Sequence, residues 1–533
     1  MGIYLNPGNS GFQESLNSEI YVDKTELIHF TNAVLQTRQK YLCVSRPRRF
    51  GKSMAMNMLA AYYGRGMDSN AQFQDLLISH DKSYREHLNQ YDVLKLNMQE
   101  FLSRTDSVES MIRLLERRIL TELVKAYPND TEEEDLLFCM KSIYASRNRP
   151  FIILIDEWDC LFREYQQNTS AQRKYLDFLR SWLKDQDFVG LAYMTGILPI
   201  KKYGTHSALN MFTEYSMTDP GKLTPYFGFT EPEVKSLCTK NRMNFEETKS
   251  WYNGYHLPVE ETSAISPEGH TECSMYNPNS VVEAMLHHRF SNYWNRTESY
   301  EALKIYIQMN MDGLKDAVIS MLGGESIPVN TGTFCNDMTT FATRDDVLTL
   351  LVHLGYLTFN TEENTVSIPN KKVAQEYINA IRTLNWTEVS RSIEQSRQLL
   401  TALWNQDAAA VAAGIERAHE EISALEYHDE NSLSCTIQLA FYFAREYYTM
   451  IREFPSGKEF ADIVLLPRKL HADKPAAVIE LKWDQSAEGA IAQIRERHYA
   501  GSLAEYQGHL ILAGINYDRK TKKHTCIIEK WTI

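Results

Sequence analysis

Several features that would place the chain in a common class of protein are missing from its sequence. No apolar run approaches the roughly 18 residues that a membrane-spanning helix needs. The first residues, MGIYLNPGNSGFQ, have neither the basic start nor the apolar core of a signal peptide. The 8 cysteines form no CxxC pair, which argues against a zinc site and against a disulfide framework. We therefore expect a cytoplasmic protein that stays reduced and does not associate with membranes.

Positive charge is also in short supply. The net charge is -13, so no overall basic field attracts nucleic acid, and any such binding requires a local patch. No repeat of fixed period is visible. What remains is a chain with 43% hydrophobic and 23% charged residues, the composition of an ordinary globular protein. Its 533 residues exceed what one core usually serves, so two or more domains are expected.

A phosphate-binding pattern is present in SRPRRFGKSM, residues 45–54. An apolar run of strand length, 40–45, precedes it, and a segment rich in Met, Leu and Ala, 53–64, follows it. The first segment predicts a strand and the second a helix that ends at Gly64. A position between a strand and a helix is the context in which such a pattern binds nucleotide.

The main residues of that pattern each have a chemical reason. Gly51 lets the backbone turn so that amide N–H groups and the helix N-terminus face an anion. Lys52 can reach β and γ phosphates, and Ser53 can bind Mg²⁺. Arg46 stands where the usual pattern has its first glycine, so a basic surface turn before a helix is the alternative interpretation.

A second apolar run ends in two acids. Residues 152–155 are apolar on both faces, as a central parallel strand requires, and Asp156 and Glu157 follow directly. Open α/β sheets bind ligands at this end of their strands. Asp156 can hold the Mg²⁺ shell, and Glu157 can polarise the attacking water. The alternative is a buried strand whose acids only begin the next loop.

Two more apolar runs, 91–98 and 188–200, predict further strands of the same sheet. The second contains Thr195 and Gly196, where a polar sensor of the γ phosphate is expected. The residues assigned to nucleotide binding are Arg49, Phe50, Gly51, Lys52, Ser53, Met54 and Asp156, with Glu157 as the catalytic residue.

A longer series of motifs carries a family resemblance. In order, the chain contains YVDKTELI, SRPRRFGKS, ILIDEWD, TGILPIKKYGTHSALNMFTEYSM, WYNGYHL, YNPNSVV and SNYWNRT. Over residues 5–300 this series resembles the AAA-ATPase-like family, a P-loop group found mostly in bacteria and usually joined to a C-terminal nuclease-like domain. The resemblance implies that RPRRFGKS is the phosphate loop itself, with Arg46 as a normal member.

The same resemblance implies roles for two groups of basic and polar residues. It places Asp23, Lys24 and Thr25 near the nucleotide, although a surface cap is an equal alternative. Lys201 and Lys202 are candidate sensors, with solvated surface lysines as the alternative.

The middle of the chain carries fewer signals. Thr230 is a predicted N-cap, with Glu233 three residues later. Residues 300–425 are mostly helical in pattern, with 351–359 and 365–370 as a predicted hairpin. A helical lid followed by a small winged-helix-like module fits this pattern.

The last hundred residues predict a second domain with the element order α-β-β-β-α-β-β. Asp462 begins one predicted strand, and Glu480 and Lys482 lie two apart on the next, so that both side chains point to one face. Two carboxylates on adjacent strands can hold a divalent cation beside a lysine that acts on water. The alternative, a solvated strand edge, conflicts with the apolar neighbours in VIELKW.

GKEFAD and IELK resemble the PD-(D/E)xK nuclease superfamily, which implies that Asp462, Glu480 and Lys482 form a catalytic core. The resemblance adds Glu430 as a supporting metal ligand. Gln493 and Tyr499 resemble the Gln/Tyr helix motif of related nucleases, although they are spaced by six residues instead of four. Candidate phosphate contacts on the same predicted helix are Arg495, Arg497 and His498.

These observations predict an α/β protein of three segments. Residues 1–220 form a P-loop ATPase domain with a parallel sheet, 221–425 a helical lid and winged-helix-like region, and 426–533 an α/β restriction-endonuclease-like domain. The protein would bind and hydrolyse ATP with Mg²⁺, with a homo-oligomer as one option for its assembly, and nucleotide state would gate cleavage of nucleic acid, DNA in the first instance. The alternative is a nucleotide-switched signalling or scaffold protein whose nuclease-like domain only binds DNA or a partner.

Overall fold

The computed structural model describes residues 2–130, 135–200, 209–258, 272–293, 301–309, 311–334, 341–384, 387–422, 437, 440–456, 459–468, 471–496, 503, 506 and 509–531. The chain divides into two compact units. The first comprises Met1–Ser299 and Pro328–Ala374, and the second comprises Tyr300–Ile327 and Gln375–Ile533. The predicted middle segment is therefore shared between the two units by packing, and its boundaries stay a prediction.

A parallel sheet of five strands forms the centre of the first unit. Its strands lie side by side in the order β2-β3-β4-β1-β5, and all pairs are parallel. Every residue of β1, β3 and β4 is buried, which explains why these strands read as continuous apolar runs. The α/β class predicted from the sequence is confirmed. The strands are β1 (Tyr41–Ser45), β2 (Asp92–Asn97), β3 (Phe151–Asp156), β4 (Val189–Gly196) and β5 (Thr213–Tyr215).

Helices separate many of the strands along the chain. Among the described residues they are α1 (Ser10–Leu16), α2 (Glu26–Val34), α3 (Lys52–Tyr63), α4 (Asn70–Phe73), α5 (Tyr84–His87), α6 (Met98–Leu102), α7 (Val108–Ala126), α8 (Leu136–Arg147), α9 (Cys160–Glu164), α10 (Thr169–Leu183), α11 (Glu231–Asn241), α12 (Phe245–Tyr252), α13 (Pro278–His287), α14 (Glu301–Ile307), α15 (Leu314–Gly323), α16 (Arg344–Leu354), α17 (Lys371–Thr383), α18 (Thr387–Trp404), α19 (Ala408–Ile422), α20 (Ala444–Tyr447) and α21 (Ala487–Glu496). Short 3-10 helices lie at Leu77–His80, Gly221–Tyr226 and Thr331–Thr333. Within the part of the chain that is described, no helix has the length and apolar character needed to cross a membrane.

Two small sheets accompany the large one. One has the order β6-β8-β7 and the other β10-β11-β9. The predicted N-cap of α11 is confirmed, since Thr230 and Glu233 form a complete capping box. The strands are β6 (Phe229–Thr230), β7 (Tyr255–Pro258), β8 (Glu272–Tyr276), β9 (Ile327–Pro328), β10 (Thr358–Asn360) and β11 (Thr365–Ser367).

The predicted hairpin exists but is shorter than expected. β10 and β11 pair antiparallel, whereas residues 351–354, assigned to its first strand, belong to α16. Gly355 ends that helix with φ +84°, a left-handed conformation that glycine adopts readily. A short apolar run such as LVHL fits a buried helix as well as a buried strand. The spacing of its apolar residues therefore does not distinguish the two kinds of element.

The second unit contains a mixed sheet in the order β12-β13-β14-β15-β16. Only β14 and β15 pair in parallel, and α21 connects them. The predicted succession along the chain of three strands, a helix and two strands is confirmed, although Asp462 lies inside its strand and not at its start. Of the predicted first helix, 431–448, residues 431–436, 438 and 439 lie outside the described residues; of the remainder, Ala444–Tyr447 form α20 and Tyr448 begins β12. The strands are β12 (Tyr448–Ser456), β13 (Glu459–Pro467), β14 (Ala476–Trp483), β15 (Leu510–Asp518) and β16 (Lys523–Trp531).

Candidate functional sites

The loop between β1 and α3 has the backbone conformation of an anion-binding turn. Gly51 is the N-cap of α3 and has φ +90°. A Cβ atom at this position would meet nothing within 4 Å, so backbone conformation and not space requires glycine here. Arg49 is also left-handed, with φ +66°. The start of α3 thus presents its free amides beside Gly51.

This loop forms one wall of a cavity of about 480 Å³. Cationic and apolar side chains share the lining: Lys52 and Arg49 come from the loop, and the segment before α2 contributes Tyr21 and Lys24. A cavity with several cations and apolar walls suits an anionic ligand that also has an aromatic part. All six loop residues assigned to nucleotide binding line it: Arg49, Phe50, Gly51, Lys52, Ser53 and Met54.

The ammonium group of Lys52 is held by the loop itself. Its Nζ donates to the backbone oxygens of Arg46 at 2.8 Å and of Pro47 at 2.9 Å. Burial lowers the pKa of Lys52, while the acids Glu157 and Asp156 oppose that shift. Lys52 is therefore a buried amine, and the carboxylates of Asp156 and Glu157 after β3 favour its charged form.

Ser53 and Asp156 are in direct contact. The Ser53 hydroxyl donates to Oδ2 of Asp156 at 2.7 Å, and the Thr195 hydroxyl donates to Oδ1 at 2.5 Å. Asp156 is buried, and its two oxygens are thereby oriented by the phosphate loop and by the end of β4. A hydroxyl and a carboxylate are oxygen ligands that Mg²⁺ accepts. The donor set fits the predicted metal position, with Thr195 as its orienting neighbour.

Glu157 lies at the cavity in an unusual backbone conformation. Its φ is +53°, which costs a non-glycine residue on the order of 1–3 kcal/mol and is found mainly at functional sites. The side chain lines the cavity and forms an ion pair with Arg163 on α9. Asp159, fully buried, lies 3.5 Å from the Nε of the same arginine. Neither Arg163 nor Asp159 was predicted from the sequence.

Arg46 points into the protein and not into the cavity. It is fully buried, and its Nη1 donates to the backbone oxygens of Ser45, Tyr215 and Ser216 at 2.9, 2.8 and 3.0 Å. Its guanidinium lies over the ring of Phe227, 5.6 Å from the centroid. Burial lowers the pKa of Arg46 to about 10, so the group stays charged. The residue that replaces the first glycine thus connects the loop to the last residue of β5 and to the residue after it.

The residues of the DKT segment divide between a turn and the cavity. Asp23 accepts hydrogen bonds from the backbone and hydroxyl of Thr25 at 2.8 and 2.7 Å. Lys24 lines the cavity, and its Nζ donates to Pro225 O at 2.7 Å and to both oxygens of Glu233 at 2.6 and 2.7 Å. Lys201 and Lys202 lie outside the described residues.

The second unit brings Asp462, Glu480 and Lys482 together. Ile463 pairs with Ile479, so Asp462 and Glu480 are the next opposite positions of the β13–β14 ladder. Asp462 accepts the Leu481 N–H at 2.7 Å, and Lys482 Nζ lies 3.4 Å from Glu480 Oε1. The side chain of Glu480 is 2% exposed and that of Lys482 is 13% exposed. A buried carboxylate beside a lysine, opposite a second carboxylate, fits a divalent cation.

The neighbours of this group come from α21 and β16. Gln493 on α21 donates to Glu480 Oε1, and Arg495 forms an ion pair with Glu529. Glu430, Arg497, His498 and Tyr499 lie outside the described residues. Within the described residues, no three His, Cys, Asp or Glu side chains form a metal-binding group, so Asp462 and Glu480 are a pair of candidate ligands.

Together, the parallel sheet, the Gly51 turn and the Ser53–Asp156 contact define the first unit as a P-loop nucleotide-binding fold. Residues 8–205 match the family model for a predicted AAA-ATPase, named AAA-ATPase-like. Residues 429–530 match the PD-(D/E)XK nuclease superfamily. The chain therefore carries an AAA-ATPase-like domain at its N-terminal end and a domain of the PD-(D/E)XK nuclease superfamily at its C-terminal end.

Comparison with individual proteins adds one relative and one structure. An uncharacterized protein in the vnfD 5'region of Azotobacter chroococcum mcd 1 is 24% identical over 285 residues, which is 52% of this chain and 50% of the relative. The chain thus spans about half the length of the curated relative that it matches. The Aeropyrum pernix ORC2 protein (ADPNP-ADP complexes) covers 69% of this chain and 97% of its own at 10% identity. Its TM-score of 0.23 is too low to support an inference.

Proposed function

We propose that the first unit binds and hydrolyses ATP with Mg²⁺, and that the C-terminal sheet is a metal-dependent nuclease whose activity depends on the nucleotide state. The observation that carries the ATPase proposal is the Ser53–Asp156 hydrogen bond of 2.7 Å beside a cavity lined by Gly51 and Lys52. A phosphate loop, a lysine, a hydroxyl and an acid in this order are the parts that phosphoryl transfer needs.

The residues of the first site have separate proposed roles in ATP hydrolysis. The amides after Gly51 and the ammonium of Lys52 would hold the phosphates. Ser53 and Asp156 would hold Mg²⁺, which when bound neutralises phosphate charge. Glu157 lines the cavity and is the carboxylate that can accept a proton from water. Thr195 keeps Asp156 oriented through its hydrogen bond of 2.5 Å.

The residues of the second site support phosphodiester hydrolysis. Asp462 and Glu480 would hold a divalent cation, which when bound activates water and stabilises charge on the phosphate. Lys482 is close enough to Glu480, at 3.4 Å, to act beside it on water or substrate. A domain that only binds DNA has no need of this set, which disfavours the scaffold alternative. We propose DNA as the substrate of this domain. A homo-oligomer is consistent with the proposed ATPase activity of the first unit.

A cleavage assay tests the proposed function. Purified protein is incubated with plasmid, linear and single-stranded DNA and with RNA, with and without Mg²⁺, and with ATP, ADP or no nucleotide. We expect cleavage only with Mg²⁺ and a rate that changes by about tenfold between nucleotide states, a typical coupling between two sites. Mg²⁺-dependent cleavage at the same rate with ATP, with ADP and without nucleotide would contradict the gating of cleavage by nucleotide state. DNA binding without any cleavage would favour the scaffold alternative.

A further inference from the structure

The Glu157 carboxylate is bound on one side by a guanidinium. Arg163 Nη2 donates to Glu157 Oε2, and the side chains of the two residues are 15% and 25% exposed. Glu157 lines the nucleotide cavity, whereas Arg163 is not among the described residues that line it. Among the described contacts of Arg163, the ion pair with Glu157 is therefore the one that leads directly to the cavity lining.

Arg163 is itself held in place by Asp159. Its Nε lies 3.5 Å from Asp159 Oδ2, four residues earlier. The same oxygen accepts the backbone N–H groups of Ile197 and Leu198 at 3.0 and 2.8 Å. Because Asp159 is fully buried, its charge strongly favours a cation beside it. The ion pair is thus connected to the chain immediately after β4.

We propose that Arg163 is a positioning residue that restrains Glu157, so that intrinsic ATP hydrolysis is slow until the Glu157–Arg163 ion pair opens. The proposal rests on the proposed ATPase function. A general base must turn a carboxylate oxygen towards the attacking water, and the contact with Arg163 holds Glu157 Oε2 against the guanidinium instead. Asp159 accepts hydrogen bonds from the backbone of Ile197 and Leu198 and also lies beside Arg163. It therefore links the chain after β4 to the Glu157–Arg163 ion pair.

The test is single-turnover hydrolysis of ATP beside a binding titration with a fluorescent ATP analogue. Arg163→Gln removes the cation and keeps a polar side chain, and we expect hydrolysis to rise by about 3- to 10-fold with unchanged affinity. Arg163→Lys keeps the positive charge but lacks the planar, several-donor guanidinium. We expect a hydrolysis rate between those of wild type and Arg163→Gln. Arg173→Gln, at an exposed arginine on α10, is the matched control and should leave both values unchanged.

The outcomes separate this inference from the ATPase proposal. A hydrolysis rate that is lowest in wild type, higher in Arg163→Lys and highest in Arg163→Gln supports the restraint. A purely structural role of Arg163 would not accelerate hydrolysis when the residue is replaced. If Arg163→Gln does not fold, the lysine variant decides, and a rate equal to or below that of wild type overturns the inference. Wild-type protein that binds ATP without ever hydrolysing it would overturn the proposed function itself.

Discussion

The hydroxyl of Ser53 donates to Oδ2 of Asp156 at 2.7 Å and so joins the phosphate loop to the acidic end of β3. The two residues belong to strand–loop units that are separated in the sheet by β4. Thr195, at the end of that intervening strand, donates to the other oxygen of Asp156. Residues at or after the ends of three adjacent strands therefore define the position of one carboxylate.

Lys52→Ala is expected to weaken ATP binding by about 100-fold, because a charged hydrogen bond to phosphate contributes roughly 1.5–3 kcal/mol. Titration with a fluorescent ATP analogue measures this. Lys125→Ala, at an exposed position on α7, is the control that should bind like wild type. Equal affinity in the Lys52 variant would mean that the cavity does not bind phosphates through this loop.

Glu157→Gln is expected to keep nucleotide affinity and to slow hydrolysis by about 10²–10⁴-fold, since an amide cannot accept the proton of the attacking water. Phosphate release under single-turnover conditions measures the rate. Glu164→Gln, at an exposed acid on α9, should hydrolyse like wild type. Loss of binding instead of turnover would show that Glu157 shapes the cavity and is not the base.

Arg46→Gly, which restores the glycine of the usual phosphate loop, is expected to destabilise the first unit by about 3 kcal/mol or more. The substitution leaves a cavity and removes the hydrogen bonds that Arg46 Nη1 donates to the carbonyls of Ser45, Tyr215 and Ser216. Urea unfolding measures the change, and Arg46→Lys should fall between the two. A variant as stable as wild type would show that the buried guanidinium is dispensable.

A histidine pair is expected to make the second unit sensitive to acid. His419 and His524 are buried with ring nitrogens 3.4 Å apart, and burial lowers the pKa of both. Unfolded histidines bind protons below about pH 6.5, so their contribution is complete above that pH and is lost as the pH falls.

His524→Asn should therefore reduce the acid-dependent loss of unfolding free energy by about 1.4 kcal/mol per pH unit below pH 6.5. Urea unfolding at several pH values measures this slope. His509→Asn, at an exposed histidine of the same unit, should leave it unchanged. Identical slopes in wild type and the His524 variant would contradict the assignment.

The sequence predicted most of the sheets because their strands are either fully apolar or regularly patterned. β1, β3 and β4 are continuous apolar runs, and the Gly-Lys-Ser turn after β1 and the acids at the end of β3 support each other as parts of one nucleotide site. Residues 351–354 were assigned wrongly to a strand because a short apolar run fits a buried helix equally well.

The missed residues act through tertiary contacts that no local pattern encodes. Arg163 looks like any helix-surface arginine in sequence, and only the fold brings it to Glu157. Asp159 was part of the quoted ILIDEWD motif, yet its partners are amides of Ile197 and Leu198, far along the chain. The role of Arg46 is similar, because its carbonyl partners include Tyr215 and Ser216.

The central claim is that the C-terminal sheet is a nuclease. The most direct test measures DNA cleavage and metal binding by the variants Asp462→Ala and Lys482→Ala. Titration calorimetry with Mn²⁺ is run beside cleavage of plasmid and single-stranded DNA, with Arg519→Ala, at an exposed arginine of the same unit, as the control. We expect both variants to lose cleavage and to keep the ATPase rate, with metal affinity reduced only in the Asp462 variant because a carboxylate ligand is lost. Cleavage that survives both substitutions, or equal Mn²⁺ affinity in wild type and the Asp462 variant, would contradict the account.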